Sequence, residues 1–185
     1  MVSFEFNGKS LKIWNSVSPY NILSQIALHN TTIESALEVN NLLALACDDS
    51  VLRFYDTYSN LCLHSISNIQ TSSRNSMIVL KNNKLIVGGY NTLIVIDTSC
   101  YTIEKRLEDE DYEAIDCFLQ LSDGILLCAL GDMNGRAFVQ IELNKYEIIS
   151  EKENAHESHI NGIVYINERM FASCSDDKMI KIWKY

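Results

Sequence analysis

His156, Ser173 and Asp177 are the residues of this chain whose types could do nucleophilic chemistry together: a hydroxyl, an imidazole base and a carboxylate to orient it. Such chemistry needs all three to converge in a pocket open to a substrate. The nearest thing to a metal motif is His156 with His159, two imidazoles three positions apart, with Glu153 and Glu157 nearby. There is no G-x-x-x-x-G-K-S/T and no G-x-G-x-x-G, and Gly88 with Gly89 reads as a turn between strands rather than a phosphate cradle. Cys47, Cys62, Cys100, Cys117, Cys128 and Cys174 are widely spaced with no C-x-x-C pair, which signals neither a disulfide framework nor a zinc cage. Most fall in apolar runs and are expected to behave as small buried hydrophobes. No cofactor or metal is expected.

Whether those side chains form a reaction centre or a brace depends on the elements that hold them. The last residues, "DDKMIKIWK" at 176–184, read as a tight acidic turn followed by a strand. Segments that align on it are "GKSLKIWN" (8–15), "DDSVLRFYD" (48–56), "YNTLIVID" (90–97) and "NGRAFVQIE" (134–142). Their large terminal residues are Trp14, Tyr55, Ile96, Ile141 and Trp183, spaced 41, 41, 45 and 42 apart. A period in that range with four short strands per unit is the spacing of propeller blades, which a β-sandwich would not sustain. Inner strands such as "LLALAC" (42–47) and "ILLCAL" (125–130) lack alternation because a blade between two neighbours buries both faces. Outer strands such as "YTIEKRL" and "YEIISEK" carry charge because they border solvent.

The predicted fold is therefore an all-β propeller of four-stranded antiparallel blades. About five are present, approximately 1–26, 27–66, 67–107, 108–151 and 152–185, within one unit spanning 1–185. The segmentation has 18 strands, fewer than a ring of seven four-stranded blades requires. Three explanations are open: the favoured one, the C-terminal portion of a longer propeller; an imperfectly closed five-bladed ring; or an open half completed by missing blades or a second chain.

The repeats resemble the WD-repeat β-propeller family, whose units carry Gly-His near the start and Trp-Asp at the end. The last unit is the most similar: His156 stands at the family's His, Ser173 in the second strand, Asp177 in the next turn and Trp183 at the end of the third strand. The resemblance implies that these four form a buried hydrogen-bonded set rather than a catalytic triad, and that His156 is structural rather than a metal ligand. The second unit keeps His29, Asp49, Tyr55 and Asp56 but has Leu45 for the serine, so its network is expected to be incomplete. The third and fourth, ending Ile96-Asp97 and Ile141-Glu142, keep the period alone.

A net charge of −9 with 15 scattered Lys and Arg opposes nucleic-acid binding, and no apolar run is long enough to span a bilayer. The expected function is a non-enzymatic scaffold for other proteins in an intracellular complex, cytoplasmic or nuclear, holding peptides or protein surfaces on the loop face. The alternative is a small-ligand or catalytic propeller with a site at the central channel, where the first strands offer little beyond Glu34 and Asn161. Expected partner contacts are Arg74, read as the only arginine on the loop face, with Tyr90, Asp132, Glu157 and Asp176. The acidic run at 108–113 borders the same face and suits a basic peptide, although a solvated loop explains it more simply.

Overall fold

Hydrogen bonding sorts the chain into five antiparallel sheets in sequence order. The structure, a computed structural model, describes residues 2–4, 10–15, 17, 19, 21–28, 30–71, 76–108, 114–131 and 136–185, and no helix occurs among them. The first sheet is β1 (Val2–Phe4), β2 (Ser10–Trp14) and β3 (Ile22–Ala27). The second is β4 (Ile33–Val39), β5 (Leu42–Cys47), β6 (Val51–Asp56) and β7 (Cys62–Ser67). The third is β8 (Met77–Val79), β9 (Lys84–Gly88), β10 (Thr92–Asp97) and β11 (Thr102–Glu108). The fourth is β12 (Ile115–Ser122), β13 (Ile125–Gly131), β14 (Arg136–Glu142) and β15 (Glu147–His156). The last is β16 (Ile160–Asn167), β17 (Met170–Ser175) and β18 (Ile180–Lys184). Within each sheet consecutive strands are neighbours, and the innermost strands β4, β8, β12 and β16 touch one another in turn. This is the architecture of a β-propeller.

The turns use asparagine where a glycine-rich chain would use glycine. Asn40 and Asn41, at φ 49° and 64°, join β4 to β5 in a two-residue hairpin whose register pairs Val39 with Leu42. Positive φ at both central residues is what a type I′ turn demands, and asparagine tolerates it best after glycine. Tyr101 is a bulkier exception at φ 56°. Its ring is stacked on His64 at 3.9 Å and packs edge-on to Phe54 at 4.8 Å, contacts that help hold the backbone there.

The core is divided into four layers, each between two successive sheets. One joins Leu11 and Ile26 to Leu43, Leu45 and Tyr55. A second joins Ala44, Ala46, Leu52 and Phe54 to Leu85, Val87, Ile94 and Ile96. A third joins Ile86, Leu93 and Val95 to Leu126, Cys128, Val139 and Ile141. The fourth joins Leu127, Ala129 and Phe138 to Ile160, Phe171 and Trp183. Alternate residues of each middle strand thus feed different layers, which is why those strands read as continuous apolar runs.

Three expectations need correction. The boundary expected at 151/152 falls inside β15, which runs to His156, so 152–156 belong to the fourth sheet and not to the last unit; the pairing of β15 with β14 continues past a register shift to Arg136↔His156. Only half of the cysteines are buried: Cys62 opens the outer strand β7, Cys100 lies in a turn and Cys174 lies on the uncovered face of the last sheet, and all three are exposed. Gly88 belongs to β9, and the two glycines serve close packing as well as a turn. A Cβ on Gly88 would meet the side chain of Ile115 at 2.8 Å, and one on Gly89 would meet the Gln70 carbonyl oxygen at 2.3 Å.

Candidate functional site

The structure brings His156, Ser173, Asp177 and Trp183 together from two sheets. His156 ends β15 of the fourth sheet, while Ser173 lies mid-β17, Asp177 in the turn that follows and Trp183 in β18. Trp183 Nε1 donates to Ser173 Oγ at 2.8 Å, Ser173 Oγ lies 2.7 Å from His156 Nε2, and His156 Nδ1 lies 2.8 Å from Asp177 Oδ2. An indole nitrogen only donates and a carboxylate only accepts, so the neutral Nδ1–H tautomer satisfies every group: tryptophan to serine, serine to histidine, histidine to aspartate. Asp177 also accepts from the Glu157 and Met179 amides at 3.1 and 2.9 Å. Desolvation works to raise its carboxyl, but the Glu157 amide, His156 and the Met179 amide outweigh that and hold it well below the usual carboxylate range.

The spacing is that of a serine–histidine–aspartate triad, but the access is not. Ser173 and His156 are 2 % and 3 % exposed, and the serine oxygen already accepts the indole proton. No carbonyl can approach Oγ while Trp183 occupies that side, so the arrangement is built to brace. Neighbouring bonds do the same work. Lys181 Nζ donates to the Ala155 carbonyl at 2.7 Å, Ser175 Oγ to the Ser158 carbonyl at 2.9 Å, and Asn161 Nδ2 to Asp176 Oδ1 at 2.6 Å. Asp176 and the Glu157 amide are therefore parts of the staple around 155–159. Among the described residues no group of three or more His, Cys, Asp or Glu side chains could hold a metal ion.

The second sheet solves the same problem differently. Asp48 accepts from Thr31 Oγ1, the Thr32 amide and Thr32 Oγ1, the last two at 2.9 and 2.8 Å, tying the entry of β4 to the β5–β6 turn. Asp49 is paired with Arg53, whose Nη1 and Nη2 lie 2.9 and 2.5 Å from its two oxygens. The first aspartate of the turn carries the tie and the second is neutralised within its own hairpin. His29 lies outside the described residues. Leu45 replaces the serine and is fully buried. Of the channel-side polar residues, Glu34 accepts a hydrogen bond from Thr71 Oγ1.

At the loop face, between the second and third sheets, lies a groove of about 620 Å³ whose lining includes Ser50, Asn68, Gln70, Tyr90, Arg106 and Glu108, with Thr92 beside Tyr90. Tyr90 is 62 % exposed. Arg106 Nη2 donates to the Asn68 carbonyl at 2.9 Å. Thr92 Oγ1 is buried without a hydrogen-bond partner. Arg74 is thus not the only arginine of this face: Arg106 reaches it from the end of β11, and the charged pattern of an outer strand does not reveal which side chain turns inward. Arg74, Asp132 and the run at 109–113 lie outside the described residues.

No family model matches the chain. Over 68 residues it is 35 % identical to the probable cytosolic iron-sulfur protein assembly protein Ciao1 of Drosophila mojavensis, a stretch covering 33 % of this chain and 20 % of that protein. A chain in the crystal structure of a mitotic checkpoint complex superimposes on 97 % of this chain with a TM-score of 0.77, at 11 % identity and over 58 % of its own length. This chain thus spans a fifth of the length of the first and somewhat over half of the second. The fold is that of a β-propeller, and the His156–Ser173–Asp177–Trp183 set ties its last two sheets together.

Proposed function

We propose that this chain is a non-enzymatic interaction scaffold of an intracellular complex, cytoplasmic or nuclear, and that it holds a partner's peptide or protein surface on the loop face. The observation that carries this reading is the groove beside Tyr90. It combines an exposed aromatic ring at Tyr90, a guanidinium at Arg106 and a carboxylate at Glu108. That mixture suits a polypeptide main chain, which offers donors and acceptors in alternation, with tyrosine and arginine as interface anchors. Both similar proteins support it by their printed descriptions, one as an assembly protein and the other as a chain of a multi-protein complex. Burial of His156 and Ser173, with the serine oxygen already accepting from Trp183, supports the non-enzymatic part.

The test uses the full chain with a photo-crosslinking residue at Tyr90 to capture and identify the partner, followed by titration of the purified partner. Tyr90→Ala with Arg106→Ala should weaken binding roughly a hundredfold at unchanged melting temperature, as removal of two anchors does. Equal affinity of the partner for both forms would refute the assignment of the groove.

A further inference from the structure

The two walls of the Tyr90 groove share one repeat distance. On the third sheet, Arg106 and Glu108 of β11 stand two positions apart and both line the groove, while Leu107 between them packs on the layer shared with the fourth sheet. On the opposite wall Asn68 and Gln70, in the connection that leaves β7, also stand two apart and line the groove, while Ile69 between them is buried in the layer between the second and third sheets. Residues two apart on extended backbone are about 6.6 Å from one another on one face. A chain laid between these walls in extended form therefore meets each of them in step.

The walls are set before anything binds. The Ile69 amide donates to the Ser50 carbonyl at 2.9 Å, and Arg106 Nη2 donates to the Asn68 carbonyl at 2.9 Å. The Gln70 carbonyl lies so close to Gly89 that a Cβ there would meet it at 2.3 Å. Arg106 makes only that one bond, and among the described residues neither it nor Glu108 has an ion-pair partner, although both are exposed. Elsewhere opposite charges are joined: Arg53 with Asp49, Lys81 with Asp123, and Lys84 with Asp97 and Glu104. One wall thus presents a cation and an anion that do not neutralise each other. The other presents two side-chain amides with no hydrogen bond among the described residues, each able to donate and accept.

We infer that the partner segment held here is extended and carries one acidic and one basic side chain separated by a single residue, the acid on Arg106 and the base on Glu108. Its main chain is held by the amides of Asn68 and Gln70, and the stem of its basic side chain packs on the exposed ring of Tyr90. Charge complementarity selects this occupant over either uniform one. An all-acidic segment sets one of its charges against Glu108, on a chain that carries −9 overall, and an all-basic segment sets one against Arg106. The inference rests on the reading of this groove as the partner's docking site and adds what the partner must present.

The probe is a library of random linear peptides displayed on phage and panned on the full chain, followed by titration of the selected peptides. Peptides with an acidic and a basic residue one apart should be selected, and replacement of either charge by its opposite should weaken binding tenfold or more. Arg106→Glu should turn the selection to two basic residues at that spacing, and Glu108→Arg to two acidic ones, with melting temperatures unchanged because both side chains are exposed. The same peptide preference in all three forms, or selected peptides without the charged pair, would overturn the inference. A partner captured by cross-linking at Tyr90, weakened by Tyr90→Ala with Arg106→Ala but indifferent to Glu108→Arg, would overturn it while leaving the docking site in place. Indifference of that partner to all of these variants would remove both.

Discussion

Ser173→Ala tests whether the buried serine is the hub of the last blade. The substitution removes one oxygen at a site 2 % exposed and strips a partner from two ring nitrogens, Trp183 Nε1 at 2.8 Å and His156 Nε2 at 2.7 Å. Leaving a buried polar group unsatisfied costs about 1–3 kcal/mol, and the two losses share one network, so the expected destabilisation is roughly 3 kcal/mol rather than their full sum. That is a large part of the stability of an ordinary domain, about 5–15 kcal/mol. Urea denaturation followed by far-ultraviolet circular dichroism, which every member of the cycle retains, should give a lower midpoint at unchanged slope. Trp183→Phe removes the indole donor alone, and combined with Ser173→Ala it should cost less than the two separately, by about 1 kcal/mol. A loss under about 0.5 kcal/mol for Ser173→Ala, or strict additivity in the cycle, would refute the hub.

Acid should find the same site. The Asp177 carboxyl is held below its ordinary value near 3.8, so its contribution is complete above that pH and is lost as pH falls through it towards the folded value. Denaturation midpoints measured from about pH 6 to pH 3 should drop, and Asp177→Asn, less stable at the upper end, should show a shallower slope. The cysteines should divide by reactivity. Cys62, Cys100 and Cys174 should react with a disulfide reagent at mildly alkaline pH, and Cys47, Cys117 and Cys128 only after denaturation. Burial pushes the Cys47 thiol up to about 11 and the Cys128 thiol well above its ordinary value, so thiolate is scarce there as well as hidden.

The repeat was legible because it rests on large side chains at fixed distances, Trp14, Tyr55, Ile96, Ile141 and Trp183, and because the apolar runs between them match strands buried on both faces. The serine–histidine–aspartate spacing was also visible, and the repeat itself favoured a brace over a reaction centre. Outer-strand detail was less legible. "SEKENAH" ends in strand despite its charge, because main-chain pairing to β14 needs no apolar side chain. Asp49 and Arg53 stand four apart, a pairing that the sequence offered; Asp49's assignment to the brace passed over an oppositely charged neighbour within the same hairpin. Arg106 was hidden because its place in the groove depends on the close approach of two sheets, which Gly89 permits and no local pattern announces.

The four-layer core has a mechanical consequence. Each seam is shared by only two leaves, so force applied at one terminus loads a single seam at a time and does not reach the far leaves until the nearest has peeled away. Pulled from its C-terminal side, the molecule should yield in a series of similar steps, the first resisted by Phe138 against Phe171 and Trp183, while the leaves holding the Tyr90 groove stay shut until later.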